Sequence, residues 1–351
     1  MTSLKSTLIV DCKPSEPEMP CLDNGRLTPL VLVRNRPSGR PLHSRNTFPS
    51  FRIALMSWSR LRRTAEALLN PRTFLVIASA TLITGGYGLR LRADGLRLDL
   101  VNPEILGERL REGDVDAKER QPLIERLFSE AGCEIARQPI DKKSANVICD
   151  LPGQTTTRIV VGAHFDFADE GQGIVDDWSG TSMLVSLYQT LKSEVPKHSF
   201  EFVAFAGEER GLLGSNRYVK ELGAGPSTMP EAFVNLECLG LTPPKVWVSR
   251  SSPVLVRPLI EVANAMHVSV SGVNVDRVGD DDTHPFLSKK IPVISIHSVT
   301  QDKWAILHST RDNVRAINFA DFYDAYRLVA FYLDYLDTRL PSSDARVGSP
   351  M

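Results

Sequence analysis

The sequence predicts an α/β fold: a three-layer sandwich in which a mixed, mostly parallel sheet is covered by helices on both faces. Three observations predict it. Apolar runs of strand length alternate with segments of helical period from Arg158 onward, a pattern that builds parallel strands joined by crossover helices. The apolar strands end in polar, chemistry-bearing residues, as strands of open α/β sheets do at a site edge. A chain of 351 residues with 42% hydrophobic and 24% charged residues has the composition of a globular protein with a sizeable core.

The elements follow in order. Pro103 opens a run in which Ile105, Leu106, Leu110, Leu123, Ile124 and Leu127 recur at helical spacing, which predicts two helices over 102–132. Residues 133–140 and 145–151 read as two strands around a polar turn at Asp141 to Ser144. Strand 158–166 is followed by helix 179–193, whose Met183, Leu184, Leu187, Tyr188 and Leu191 form one apolar face. Strand 199–206, helix 211–222, strands 231–237 and 245–249, helix 253–266, strand 292–298 and a closing helix from Asn318 to about Leu340 complete the domain, assigned to residues 100–340.

Outside that domain the composition shifts. Residues 1–55 are rich in Pro, Arg, Ser and Asn without a sustained period, which predicts a disordered extension; a start at Met56 would remove it. A basic flank over 56–72, with Arg60, Arg62 and Arg63, precedes an uncharged run from Thr73 to Leu89 bracketed by Arg72 and Arg90. Residues 73–89 are expected to be a signal anchor or a cleaved signal peptide, with a buried helix as the competing reading. The upstream basic residues orient the N-terminus to the cytoplasm and place the domain outside it, at the cell envelope, anchored or secreted. Residues 341–351 read as a frayed tail.

Forty-one basic and 42 acidic residues leave a net charge of -1, which gives no electrostatic case for a nucleic-acid partner. Cys12, Cys21, Cys133, Cys149 and Cys238 form no CxxC pair, so a metal must be sought among His and carboxylates. Cys133 and Cys149 flank the predicted hairpin; they either pair in an oxidising compartment or remain two buried thiols.

Those donors converge. One strand ends in His164-Phe165-Asp166, another leads to Glu208-Glu209, a third ends in Glu237, and the last leads to His308, while Asp176-Asp177-Trp178-Ser179-Gly180 stands just before a helix. Singly each has a plain explanation: a strand-end histidine is commonly structural, and Asp177 or Ser179 suits a helix cap. Together, two histidines and several carboxylates at one sheet edge need a cation to offset their repulsion. Imidazole and carboxylate oxygen suit zinc, and two such ions sharing one carboxylate make a site for hydrolysis, with a further carboxylate to move the proton.

AHFD, DDWSG, FAGEERGLLGS, NLE and HSTRDN resemble, in order and spacing, the motifs of metallopeptidase family twenty-eight, the co-catalytic zinc aminopeptidases related to glutamate carboxypeptidase. The resemblance covers roughly residues 100–340 and implies the zinc aminopeptidase fold with two Zn²⁺ per chain. It implies that His164 and Glu237 hold one zinc, Glu209 and His308 the other, and Asp176 bridges both. Glu208 resembles the general base, and Asp166 the carboxylate that orients His164 through its far ring nitrogen. A cis bond between Asp176 and Asp177 is also implied. The implied substrates are peptides with a free N-terminus.

Two departures stand out. The family's usual NLD is NLE here, which leaves a carboxypeptidase-type exopeptidase open. Asp281 to Phe286 departs from a serine-aspartate-histidine run, so His284 is expected to be a pocket or surface residue and not a ligand. A single-zinc glutaminyl cyclase and a non-catalytic ectodomain of the same fold are the alternatives; a full set of competent side chains argues against the latter.

Overall fold

The computed structural model describes residues 98–223, 228–276 and 279–341. The chain divides into two units, and all these residues belong to the one that includes Leu96–Met351. The expected extension at 1–55, flank at 56–72, span at 73–89 and the tail beyond Pro341 lie outside the described residues. Among the described residues no helix is long and apolar enough to cross a membrane.

Helices α1 (Pro103–Glu112) and α2 (Ala117–Glu130) come first, as their spacing predicts. Asn102 caps α1 by accepting from the Glu104 amide, and Pro103 occupies the first turn, where its missing N–H costs nothing. Strands β1 (Ile135–Pro139) and β2 (Ala145–Leu151) form the hairpin. Cys133 and Cys149 are disulfide-bonded, with Cα atoms 6.0 Å apart. Then follow β3 (Arg158–His164), α3 (Ser179–Leu191), β4 (Ser199–Phe205), α4 (Leu213–Glu221), β5 (Ala232–Glu237), β6 (Lys245–Val246), α5 (Pro253–Met266), β7 (Ser271–Gly272), α6 (Thr283–Ser288), β8 (Val293–His297) and α7 (Phe319–Arg339).

Among the described residues the strands form one mixed sheet in the order β1-β2-β4-β3-β5-β8-β6-β7. Its centre, β4-β3-β5-β8, is parallel throughout. Buried on both faces, these strands alternate between two cores. Ile159, Val161 and Ala163 of β3 and Phe200, Phe202 and Ala204 of β4 face α3, α5 and α7, while Val160, Val203, Phe205 and Phe233 face Tyr218 of α4 and Phe286 of α6. Phe233 and Phe286 stack with centroids 3.8 Å apart. The register pairs His164 with Phe205, Gly162 with Asn235 and Glu237 with His297, so the parallel strands end level with one another.

The expected strand over 245–249 is a correction: pairing stops at Val246, and Val248–Arg250 is a 3₁₀ turn. Ser249 turns the chain, its amide donating to Asn274 and its hydroxyl to Asp276, which also accepts from the Trp247 indole. The strand expected to reach Asp166 ends at His164, and α6 and β7 were not foreseen. Six and two residues are too few to show a period.

The disulfide closes a separation of 16 residues. Replacing Cys133 and Cys149 by Ser is expected to lower the unfolding free energy by about 2–4 kcal/mol. Urea midpoints of wild type and double variant check this, and equal midpoints would refute it.

Candidate active site

Parallel strands aim their C-terminal ends at one place, and the loops that follow deliver the polar side chains. His164 closes β3 and is 1% exposed. Its Nε2 lies 3.2 Å from Asp176 Oδ1, 3.4 Å from Glu237 Oε1 and 4.0 Å from Glu208 Oε2. On its other side Asp176 places Oδ2 3.1 Å from Nε2 of His308, which is also 3.2 Å from Glu209 Oε1. Asp176 thus stands between two groups, His164–Asp176–Glu237 and Asp176–Glu209–His308, each with one ligand atom per residue within 4.8 Å of the others. Glu208 belongs to neither.

The peptide bond between Asp176 and Asp177 is cis. Asp177 turns away from both groups: its Oδ1 accepts from the amides of Gly180 and Cys238, each at 3.0 Å, and from the Ser179 hydroxyl. It therefore caps α3 and ties the start of that helix to the end of β5. The following glycine is required by contact, since a Cβ at Gly180 would lie 2.5 Å from Asp177 Oδ2.

Asp166 differs from its expected role. Nδ1 of His164 faces the backbone carbonyl of Asp166 at 3.0 Å, while the Asp166 carboxylate is 3.9 Å away. That carboxylate instead accepts from the amides of Gly207, Glu208 and Glu209 at 2.7, 3.0 and 3.3 Å. A carboxylate receiving three backbone N–H groups fixes the turn, and here the turn carries Glu208 and Glu209. Asp166 thus holds the turn that carries Glu208 and Glu209, and its main-chain carbonyl faces the His164 ring.

Three supporting residues escaped the sequence reading although two lie inside quoted motifs. Asn235 of the NLE segment donates to Glu237 Oε2 at 3.2 Å and Asp281 Oδ2 at 3.3 Å. Strand period 2 puts Asn235 and Glu237 on one face, a signal that was available. Asp312 of HSTRDN is buried and accepts from the amides of Val175 at 2.7 Å and Asp176 at 3.2 Å. His297 ends β8 beside Glu237, but its Nε2 faces the Val273 carbonyl and its Nδ1 accepts from the Val299 amide. Burial lowers its pKa to about 4, so it is neutral and structural. His284 is exposed and pairs with Asp280 at 2.6 Å, away from both groups.

Electrostatics follow from crowding. Burial pushes the Glu208 carboxyl up to about 10, with Asp282, Glu237 and Asp176 adding and His164 opposing. Burial works against a charged His164, yet Glu208, Glu237 and Asp176 carry it well above the usual histidine value. Contacts with Asp176 and Glu209 raise His308 to about 10.

The donor set fits zinc. Each group offers imidazole and carboxylate oxygen, and a three-ligand set leaves a position free for chemistry. Among the described residues Glu209 Oε1 is buried, 3.2 Å from His308 Nε2, and accepts no hydrogen bond. A buried carboxylate oxygen beside an imidazole and without a donor suits a bound cation. The groups open into a cavity of about 290 Å³ lined by Leu212, Trp247, Val275, Val299, Trp304 and Leu307, with Glu208, Asp280 and Asp281 among its acidic residues.

A parallel-centred α/β sandwich with two His/carboxylate groups sharing an aspartate at the strand ends defines a metallohydrolase-type site. The chain belongs to peptidase family M28, whose family model matches residues 146–333. It is 37% identical over 82 residues to aminopeptidase YwaD of Bacillus subtilis, covering 23% of this chain and 18% of that protein. The chain therefore matches about a fifth of that relative's length. The Legionella pneumophila LapA aminopeptidase shares the fold with TM-score 0.59 and 19% identity, over 69% of this chain and 73% of that one. An Acidobacteriales bacterium glutaminyl cyclase does so with TM-score 0.59 and 19% identity, over 70% and 97%.

A ligating imidazole is neutral, so a zinc ion held by His164 or His308 would have to displace any proton there. Because His308 is raised to about 10, metal binding at pH 7 is expected to release protons, and zinc affinity to climb with pH up to that value. Calorimetry in buffers of differing ionisation enthalpy checks this; an enthalpy independent of buffer would contradict it.

Proposed function

We propose that this chain is a two-zinc exopeptidase that removes N-terminal residues from peptides with a free amino group. The observation that carries this reading is the pair of ligand groups sharing Asp176, with Glu208 beside them and in neither. His164, Asp176 and Glu237 would hold one ion and Asp176, Glu209 and His308 the other. When bound, zinc supplies a Lewis acid for the scissile carbonyl and brings the pKa of water to about 7. With cations held beside it to offset burial and the neighbouring carboxylates, Glu208 would be ionised, accept the proton of the attacking water at its carboxylate and return it to the departing amine. Asp166 keeps that carboxylate in place through the turn amides.

Outside the two ligand groups the described cavity lining includes Glu208 and Asp281 and no Lys or Arg to receive a substrate carboxylate, which supports aminopeptidase over carboxypeptidase action. Its apolar wall, with Trp247, Trp304 and Leu307, favours an apolar N-terminal side chain. The name of the solved LapA aminopeptidase agrees with this direction. The buried disulfide favours an oxidising compartment, in line with a domain held outside the cytoplasm by residues 73–89 or released after cleavage there.

Glu208→Gln is expected to retain two zinc ions per chain and lose ~10²–10⁴ in kcat on leucyl or phenylalanyl arylamides. Metal analysis with initial rates checks both parts. Loss of zinc in this variant would assign Glu208 to the ligands, whereas one ion per wild-type chain would favour the cyclase reading. Blocked N-acyl substrates should be inert; their turnover would overturn the N-terminal specificity.

A further inference from the structure

The loop between β3 and α3 carries Asp176, and it is gripped from outside the sheet by an arginine that precedes the matched family segment. Arg120 lies in the first turn of α2 and is fully buried. Burying a guanidinium is costly unless its donors and charge are met. Its terminal nitrogens donate to the Gln172 carbonyl and, at 3.3 Å, to the Gly173 carbonyl. Its planar faces lie against the rings of Phe167 and Trp178, 4.7 and 4.8 Å from their centroids. Every one of those contacts is to the loop or its exit. Gly173 has φ 55°, and a Cβ there would come within 2.2 Å of Phe167, so the segment is tightly packed.

The same loop is held on its other side by Asp312, whose carbonyl accepts from the Gln172 amide at 2.9 Å and whose carboxylate accepts from Val175 and Asp176. Arg120 and Asp312 thus meet at Gln172, four residues before Asp176. We infer that Arg120 is a positioning residue for the shared ligand: by fixing Phe167, Gln172, Gly173 and Trp178, it sets where the Asp176 carboxylate stands between the two metal positions. Lysine can supply the charge but neither the planar fork nor the stacking faces. The inference rests on the reading of Asp176 as ligand to both ions.

The test compares Arg120→Met, Arg120→Lys and Phe167→Leu with Arg109→Gln. Arg109 is a control: its side chain bonds Ser186 and Gln189 on α3 and leaves the loop untouched. Zinc affinity is measured by chelator competition, and the cobalt-substituted protein by its visible absorption. Arg120→Met is expected to lose about 10–100-fold in affinity for at least one ion, as loss of a residue supporting ligands does. Arg120→Lys should be intermediate, the cobalt spectra of both should change, and kcat at saturating zinc should fall with little change in KM. Arg109→Gln should lower stability alone. Wild-type affinity and spectrum in Arg120→Met, with only a lower melting temperature, would overturn the inference. If Arg120→Met does not fold, Phe167→Leu decides: weakened zinc binding supports it and unchanged binding overturns it. A wild type that binds no zinc would remove the reading of Asp176 itself, and the inference with it.

Discussion

Asp176 is the residue on which the arrangement turns, because one buried carboxylate has to stand 3.2 Å from one imidazole and 3.1 Å from another. Desolvation opposes its charge, and hydrogen bonds with His164 and His308 reverse that, holding it well below the usual carboxylate range. A side chain with two short partners tolerates little displacement. Its backbone is correspondingly over-determined: Asp312 fixes the amides of Val175 and Asp176, and Asp177 joins α3 to β5 immediately behind it.

The remaining acids are arranged by the same need. Glu208, Glu237 and Asp282 are all pushed upward by burial, Asp282 to about 8, while Asp166 and Asn235 spend their hydrogen bonds on the turn and on Glu237. Adjacent side chains of one turn divide between two duties, since Glu209 joins the second ligand group and Glu208 does not. The division depends on the turn being held by its amides, where a carboxylate reaches both residues without touching either side chain.

Much of this was legible in the sequence because strand ends are visible in it. A run such as Ile159 to Ala163 announces a buried strand, and the polar residue that breaks it must stand at the sheet's edge. His164 and Glu237 were readable on that ground. Backbone-directed roles were not: Asp166, Asp312 and Arg120 act on amides, carbonyls and rings whose position only the folded chain defines. The expected contact of the Asp166 carboxylate with His164 was implied by the family resemblance, and main-chain geometry gives that contact to the carbonyl instead. Short elements such as β6 and α6 lacked enough residues to carry a period, and Trp247 was read as strand although its indole bonds a turn.

Helix α2 joins stability to the site while keeping the two apart. Past its middle it is fastened to the β1–β2 hairpin, where Glu125 accepts from Arg137, and the Cys133–Cys149 bridge follows three residues after its last residue, Glu130. Near its start Gln121 accepts from the Ala145 amide, and Arg120 reaches the ligand loop. Arg120 and Glu130 are ten residues apart, roughly 15 Å along a helix at about 1.5 Å per residue. Over that distance the bridge acts on the unfolded chain and on the docking of the helix, whereas the guanidinium acts on the loop it touches. Gln121, one residue from Arg120, ties this part of α2 to Ala145 at the start of β2, so the arginine's own segment is docked on the hairpin.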